Sequence, residues 1–433
     1  GKIGRKDPGL FLRPHPRLVI RAILPLLALT LPIIGSAQTD EADSLLGFRQ
    51  ATTEEDANGD SIIDAADVRQ RSQSVTPQVE EKMRVLDTID QQFADKLPGM
   101  TLEQQRQELV NTLPTIEGVR SAGVSDTGCV WATFEDGNPI LFATNYEPSD
   151  GDLPSQTPPS SKRADWPQPA KKESPAGKQI PSDFDFLQYT ELPDNSEAEV
   201  LATLGNDWYA SQVMSHLQTR FTESGYELGP ITRRPQASTR INHYKQMNDV
   251  SVMVWNGHCG DGRFEDSVQD QVTGDYFAFW TEVEVTKDRF HAQWDEVTAK
   301  RLVPVYALIT RGRGNTEKEY GYRWGITGKF IEKYFDFSDV SFVMMHGCST
   351  NDPRLRDSFM AAGVDTYLAW SDPVIDSDSS IILRHLIDRM LGGTKVADWD
   401  SSPVRPFDYI DVIGEMERKN LISDRAGSSL VTT

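Results

Sequence analysis

The feature that most constrains the fold is an alternation of strand and helix patterns over residues 199–391. Short apolar runs are followed by segments whose apolar residues recur at helical spacing, as at Val213, Leu217 and Phe221. When helices alternate with strands in this way, the strands usually form a parallel sheet with helices packed against it. We therefore predict an α/β fold built on an open, mostly parallel sheet with helices on both faces.

Two of the predicted strands share one design at their carboxyl ends. Residues 249–255 form an apolar run followed by Asn-Gly-His-Cys-Gly, which places His258 just beyond the strand. Residues 339–346 form a second run followed by Gly-Cys-Ser, which places Cys348 beyond that strand. Ligands bind outside the carboxyl ends of such sheets. Because neighbouring strands lie about 4.8 Å apart, we expect the two side chains to converge if the strands are neighbours.

A cysteine beside a histidine is the pattern of an activated nucleophile, because the imidazole removes the thiol proton and later returns it. We predict that Cys348 is the nucleophile and His258 the general base. The backbone N–H groups of Cys259, Gly260 and Cys348 are predicted to form an oxyanion hole, since glycine lets the backbone approach closely. His346 is an alternative base, and a buried structural role is the alternative for His258.

These motifs, in this order, resemble those of the caspase-like cysteine peptidases, the group of caspases, gingipains, clostripains and CHAT-type enzymes. The likeness covers roughly residues 199–393. It includes residues 359–374 (FMAAGVDTYLAWSDPV), which are similar to the Gly-Ala-X-X-Tyr-X-Gly-Trp stretch after the catalytic cysteine in bacterial members. Two positions depart from the family: Cys259 stands where glycine is usual, and His346-Gly347 stands where bacterial members often have Asn-Ala.

The resemblance implies a caspase–haemoglobinase-like sheet and a cysteine endopeptidase that acts on protein or peptide substrates through a Cys–His dyad. It also places part of the S1 pocket after residues 366–370, where Asp372, Asp376 and Asp378 follow. Carboxylates in that pocket would favour Arg or Lys at the cleaved bond. Helix capping is the alternative role for these acids.

Residues 56–67 have the spacing of a calcium-binding loop, and they are similar to the loops of dockerin-type and EF-hand repeats. The predicted ligands are the side chains of Asp56, Asn58, Asp60, Asp64 and Asp67 and the backbone carbonyl of Ile62. Ser61 replaces the glycine of the EF-hand turn, and Asp67 replaces its bidentate glutamate. A solvated acidic loop is the alternative interpretation.

The amino-terminal sequence predicts export to the periplasm or the extracellular space. Residues 1–37 combine a basic segment, an apolar run at 22–34 and a final Gly-Ser-Ala, as signal peptides do. The run is shorter than the roughly 20 residues of a membrane-spanning helix, so we expect no stable span in the mature chain; an uncleaved anchor is the alternative. The formal net charge of -21 disfavours nucleic acid as a partner.

A Pro-rich linker divides the chain into two patterned regions. The predicted organisation is a signal peptide (1–37), a calcium-loop segment (38–75), a small helical plus β module (76–146), the linker (147–181), a caspase-like peptidase domain (182–398) and a C-terminal helix and tail (399–433). The alternative function is that of a non-catalytic secreted calcium-binding or adhesion protein with a degenerate caspase-like domain. A serine hydrolase and a zinc enzyme are disfavoured, since neither Gly-X-Ser-X-Gly nor His-Glu-X-X-His occurs.

Overall fold

The structure is a computed structural model. It describes residues 65–144, 197–202, 208–229, 231–232, 239–265, 273–311, 317–391, 409–418, 420–424 and 427–432. The predicted signal peptide, the predicted linker and the predicted calcium ligands before Ala65 lie outside the described residues.

The described strands form two sheets. The strands are β1 Val119–Val124, β2 Val130–Phe134, β3 Pro139–Phe142, β4 Glu197–Ala202, β5 Glu227–Leu228, β6 Asn248–Asn256, β7 Cys259–Glu265, β8 Thr273–Glu284, β9 Leu302–Arg311, β10 Glu317–Thr327, β11 Asp336–His346, β12 Thr366–Trp370 and β13 Leu430–Thr432. The helices are α1 Ala65–Phe93, α2 Leu102–Thr112, α3 Trp208–Glu223, α4 Ile241–Tyr244, α5 Lys287–Ala292, α6 Trp294–Thr298, α7 Gly328–Tyr334, α8 Pro353–Ala361, α9 Asp376–Met390 and α10 Tyr409–Arg418.

A six-stranded, mostly parallel sheet has the order β13-β12-β11-β6-β4-β5. Every pairing in it is parallel except that between β12 and the edge strand β13. The prediction of the α/β class is therefore confirmed. β6 and β11 are direct neighbours, with Val252 opposite Phe342 and Asn256 opposite His346.

Both faces of this sheet are buried, which explains why its central strands are almost continuously apolar. One face packs against α3, α9 and α10 through the buried residues Val252, Val254, Met344, Leu217, Phe221, Leu383, Leu386 and Met416. The other face packs against α7, α8 and the second sheet through Met253, Trp255, Val343, Met345, Phe330, Phe359 and Phe279. Helices therefore cover both faces, as the alternating pattern predicts.

The second sheet corrects the sequence-based prediction that all strands after residue 199 belong to one parallel sheet. It has seven strands in the order β1-β2-β3-β9-β10-β8-β7, and all its pairings are antiparallel except β3 with β9. The reason is connection length. A parallel crossover needs a dozen or more residues, and the segments 266–272 and 312–316, which join β7 to β8 and β9 to β10, are too short for one.

The β1–β3 segment continues the sheet that β7–β10 form. β3 pairs with β9, with Leu141 opposite Val305. The far edge of the sheet also approaches this segment, since the backbone N–H of Glu265 donates to the carbonyl of Gly137 at 3.1 Å. A Cβ on Gly137 would lie 1.8 Å from the carbonyl oxygen of Glu265, and φ at Gly137 is +78°, so only glycine fits there. Residues assigned above to the module 76–146 and to the domain 182–398 therefore share one sheet.

The Thr76–Pro77 sequence predicts a helix start, with threonine as the cap and proline at the first helical position, and the structure contradicts this prediction. Helix α1 begins at Ala65 and contains Pro77 in its interior, although proline removes a backbone donor there. Val75 and Val79, on either side of this proline, are buried in the core, and their packing offsets the lost hydrogen bond. Among the described helices, none combines the length and hydrophobicity that crossing a membrane requires.

Candidate active site

The carboxyl ends of β6 and β11 meet at one edge of the parallel sheet. Beyond the last strand pair, the backbone N–H of Gly257 donates to the carbonyl of His346 at 3.0 Å. These two strands are direct neighbours, which is the condition on which the predicted convergence of His258 and Cys348 depends. His258 and Cys348 follow this junction on either side, and both are half-buried.

Cys348 lies in a tight turn, residues 347–352, which we call the nucleophile turn after the role predicted for Cys348. Ser349 has a left-handed backbone with φ +54°, so the chain reverses sharply directly after the cysteine. The N–H of Ser349 donates to the carbonyl of Asp372 at 2.9 Å, and the N–H of Asn351 donates to the carbonyl of Trp370 at 3.0 Å. The turn is therefore fixed to the end of β12.

Thr350 holds the nucleophile turn from inside. Its buried hydroxyl donates to the carbonyls of Met345 at 2.8 Å and Gly347 at 3.1 Å, and it accepts from the N–H of Trp370 at 3.1 Å. The carbonyl of Thr350 accepts from the hydroxyl of Tyr367 at 2.7 Å. Sequence reasoning missed this residue, because its hydrogen bonds join segments that the sequence alone does not place together.

Helix α8 begins directly after the turn. Asp352 caps it by accepting from the N–H of Arg354 at 2.9 Å, and Pro353 occupies the first helical position. The Arg354 guanidinium bridges Asp352 at 2.6 Å and Asp261 at 3.2 Å. The buried Asp261 also accepts from the N–H of Thr127 at 3.3 Å. One arginine thereby joins the nucleophile turn to β7, and β7 in turn is joined to the β1–β2 connection.

His258 lies directly before β7, and its side chain packs against the indole of Trp280. The backbone N–H of Trp280 donates to the carbonyl of His258 at 2.9 Å. The imidazole lies beside the Trp280 indole, with ring centroids 5.5 Å apart and the planes inclined by 39°. The imidazole therefore packs against an aromatic ring and remains partly accessible to solvent.

Cys259 faces the nucleophile turn with its side chain. The thiol is buried and donates to the carbonyl oxygen of Cys348 at 2.6 Å. Burial raises its pKa well above the ordinary value, so it is a protonated donor at neutral pH. A Cβ on Gly347 would lie 2.6 Å from the carbonyl of Gly257 and 3.3 Å from the Cys259 sulfur. Only a glycine lets the turn pack this closely.

The register of β7 and β8 distinguishes the N–H groups predicted for the oxyanion hole. The bond from Trp280 to His258 makes these two residues a hydrogen-bonded pair. Such pairs alternate along an antiparallel ladder, so Gly260 and Ala278, which are also opposite each other, form the next one. The N–H of Gly260 therefore points into the ladder, whereas that of Cys259 points away from β8.

His346, the alternative base, is buried. Its Nδ1 accepts from the indole N–H of Trp370 at 3.2 Å. Desolvation lowers its pKa to about 3, because burial disfavours the charged imidazolium. An imidazole with this pKa does not hold a proton near neutral pH, so the structure disfavours His346 as the base.

Of the three acids predicted near the S1 pocket, Asp372 and Asp376 are placed differently. Asp372 is exposed, and its backbone carbonyl accepts from the N–H of Ser349, so it lies beside the nucleophile turn. Its carboxylate accepts from the hydroxyl of Ser371 at 2.6 Å. Asp376 is the first residue of α9.

The predicted calcium site lies almost entirely outside the described residues. This applies to Asp56, Asn58, Asp60, Ile62 and Asp64, whereas Asp67 falls in the first turn of α1. Within the part of the chain that the structure describes, no group of three or more His, Cys, Asp or Glu side chains is arranged to hold a metal ion.

A comparison of the chain with protein-family models, with curated proteins and with solved structures finds no significant match.

Proposed function

We propose that this chain is a cysteine endopeptidase in which Cys348 is the nucleophile and His258 the general base. The observation that supports it most is the junction of β6 and β11, which brings two half-buried, chemically complementary side chains to one edge of a parallel sheet. The six-stranded sheet, parallel except at its β13 edge, is consistent with the caspase-like resemblance of residues 199–393.

In this mechanism, His258 takes the proton of the Cys348 thiol, and the thiolate attacks the carbonyl carbon of the scissile peptide bond. The negative charge that develops on the carbonyl oxygen is stabilised by backbone N–H groups. Cys259 and Cys348 are the better donors, because the N–H of Gly260 points into the β7–β8 ladder. His258 then protonates the leaving amine, and water hydrolyses the thioester with the same imidazole as base.

The proposed substrate is a peptide with Arg or Lys before the cleaved bond. Asp372 supports this preference, because it is an exposed carboxylate joined through its own backbone to Ser349, the residue after the nucleophile. A fixed negative charge at that position attracts a basic side chain by charge complementarity.

Export and calcium binding are parts of the proposal that rest on the sequence alone. α1 begins at Ala65, so the last residues of the proposed calcium loop, up to Asp67, lie in the first turn of this helix. Isothermal titration with calcium is expected to show binding to the intact chain and to a Glu54→Ala variant, in which the altered acid lies just outside the loop. Asp60→Ala is expected to weaken binding, because it removes a ligand. No heat of binding to the intact chain would refute the calcium proposal.

The peptidase proposal is tested by incubating the purified chain with a mixed peptide library. Cleavage is expected, and Cys348→Ala is expected to abolish it. His258→Ala is expected to slow it by a factor of about 10² to 10⁴, the usual contribution of a general base. Cys129→Ala, which alters a buried thiol directly before β2, serves as the matched control and is expected to retain activity. Absence of cleavage by the intact chain would favour the non-catalytic alternative.

A further inference from the structure

We infer that Cys259 is a positioning residue, whose thiol donates to the carbonyl oxygen of Cys348 and so holds the nucleophile turn with the Cys348 sulfur directed to His258. The inference rests on the proposed function. It concerns the side chain at the position where caspase-like enzymes usually have glycine, and it is separate from any role of the Cys259 backbone N–H.

The hydrogen bond itself is the first observation. The Cys259 sulfur lies 2.6 Å from the Cys348 carbonyl oxygen, and Cys259 is only 1% exposed, so water does not compete for the donor. Burial raises the pKa of this thiol and keeps it protonated. It can therefore donate to a carbonyl at the pH at which Cys348 must be ionised.

The second observation is that the neighbouring carbonyls along this stretch are all held. The carbonyls of Met345 and Gly347 accept from the hydroxyl of Thr350, and that of His346 accepts from the N–H of Gly257. The carbonyl of Ser349 accepts from the N–H of Asp352 at 3.0 Å. The carbonyl of Cys348 is the remaining one in residues 345–349, and it accepts from the Cys259 thiol.

The third observation is the close approach of the two segments that follow β6 and β11. Gly347 has no room for a side chain between Gly257 and the Cys259 sulfur, so the thiol is packed directly against the turn. Removing the donor would leave the Cys348 carbonyl without this partner. The left-handed backbone at Ser349, which is strained for a residue other than glycine, would then be less well fixed.

A donor role and a packing role predict opposite orders for two substitutions. Cys259→Ala removes the donor but keeps a small apolar side chain. Cys259→Ser keeps an O–H donor of similar size but buries a more polar group. If Cys259 only fills space, the alanine variant behaves more like the unmodified chain. If it positions the nucleophile through its hydrogen bond, the serine variant does.

The test measures the alkylation rate of Cys348 by iodoacetamide as a function of pH in the full-length chain, with the modified residue assigned by peptide mass mapping. Cys259→Ala is expected to raise the pH midpoint toward about 8.5, the value of an isolated thiol, because the sulfur is no longer held near His258. With a cleaved peptide, kcat is expected to fall about tenfold with KM unchanged. Cys259→Ser is expected to keep the midpoint of the unmodified chain.

Two results would overturn the inference: equal midpoints in the alanine variant and the unmodified chain, or a serine variant displaced further than the alanine variant. Cys259→Gly also lacks the donor and replaces the alanine variant if near-ultraviolet circular dichroism shows that the latter is unfolded. His258→Ala separates this failure from that of the proposed function. If His258→Ala leaves the pH midpoint unchanged, both the dyad and the positioning role are refuted. If His258→Ala shifts the midpoint and Cys259→Ala does not, only the positioning role is refuted.

Discussion

Burial gives two histidines at the same edge of the sheet different chemistry. His346 is enclosed between β11 and Trp370, and its lowered pKa keeps the imidazole neutral as the pH falls. His258, beyond the end of β6, is half-buried beside Trp280 and retains access to solvent. A general base must reach the group whose proton it removes, and of these two histidines only His258 is partly exposed.

The burial of His346 predicts a pH-dependent stability. Its pKa is about 3 in the folded chain, whereas an imidazole exposed to water has a pKa of 6.5. As the pH falls below 6.5, the unfolded chain therefore binds a proton at this residue and the folded chain does not. Stability is therefore lost on acidification, by about 2 kcal/mol between pH 6.5 and pH 5. Urea unfolding at both pH values is expected to show a smaller loss for His346→Gln. An equal loss would contradict this assignment.

Asp372 is predicted to set part of the substrate preference. Asp372→Asn removes one negative charge beside the nucleophile turn, so kcat/KM for peptides cleaved after Arg or Lys is expected to fall about tenfold relative to neutral peptides. Asp357→Asn on α8 changes the net charge equally and is the control. An unchanged preference in the Asp372 variant would place the specificity pocket elsewhere.

At the scale of residues, the sequence predicts the proposed reactive residues, His258 and Cys348, but not the hydrogen-bonding groups that fix their positions. His258 and Cys348 follow apolar strands that end at glycines, and that local pattern is visible in the chain. The bond from the Cys259 thiol to Cys348 joins positions 89 residues apart, and no local pattern marks it. The same applies to the bonds of Thr350.

At the scale of elements, the Arg354–Asp261 pair links the start of α8 to β7, and Asp261 also binds Thr127 in the β1–β2 connection. The Asp261 side chain is almost fully buried, whereas that of Arg354 is about one-third exposed. Removing the buried charge leaves its partners incompletely satisfied, so these three segments depend on one carboxylate.

Asp261→Asn is therefore expected to destabilise the chain by about 2 kcal/mol, a value lowered by the partial exposure of Arg354. The control is Asp275→Asn, which breaks the exposed pair between Arg263 on β7 and Asp275 on β8; its expected effect is within about 0.5 kcal/mol. Urea unfolding measures both. Equal small effects would show that the buried pair does not join the segments energetically.

The elements themselves were largely predictable, whereas their arrangement was not. The helical spacing of Val213, Leu217 and Phe221 matches α3. Pro77 misled the placement of α1, because a rule of local geometry was overridden by core packing. The pairing partners of β8 and β9 depended on the lengths of the connections rather than on their apolar pattern.

At the scale of the whole molecule, the region before the Pro-rich linker and the region after it share one of the two sheets and one apolar cluster. β3 pairs with β9, and buried residues of α1 such as Val79 and Phe93 belong to the same apolar cluster as Tyr306 and Trp324. The linker does mark a change in amino-acid composition. It could not reveal this pairing, because parallel contacts between distant strands leave no signature in either segment.

Cutting the linker is therefore expected to leave the molecule assembled. A specific protease site introduced within residues 147–181 should allow complete cleavage, after which both fragments should elute together in size-exclusion chromatography, held by the shared sheet and core. In denaturant they should separate. Two fragments that elute apart under native conditions would contradict the pairing of β3 with β9 in a shared sheet.

The dyad is tested most directly by covalent labelling with a peptidyl chloromethyl ketone that carries arginine next to the reactive group, followed by mass mapping of the modified residue. We expect labelling of Cys348 in the unmodified chain and its loss in His258→Ala. Equal labelling in the two chains, or labelling only of another cysteine, would contradict the dyad.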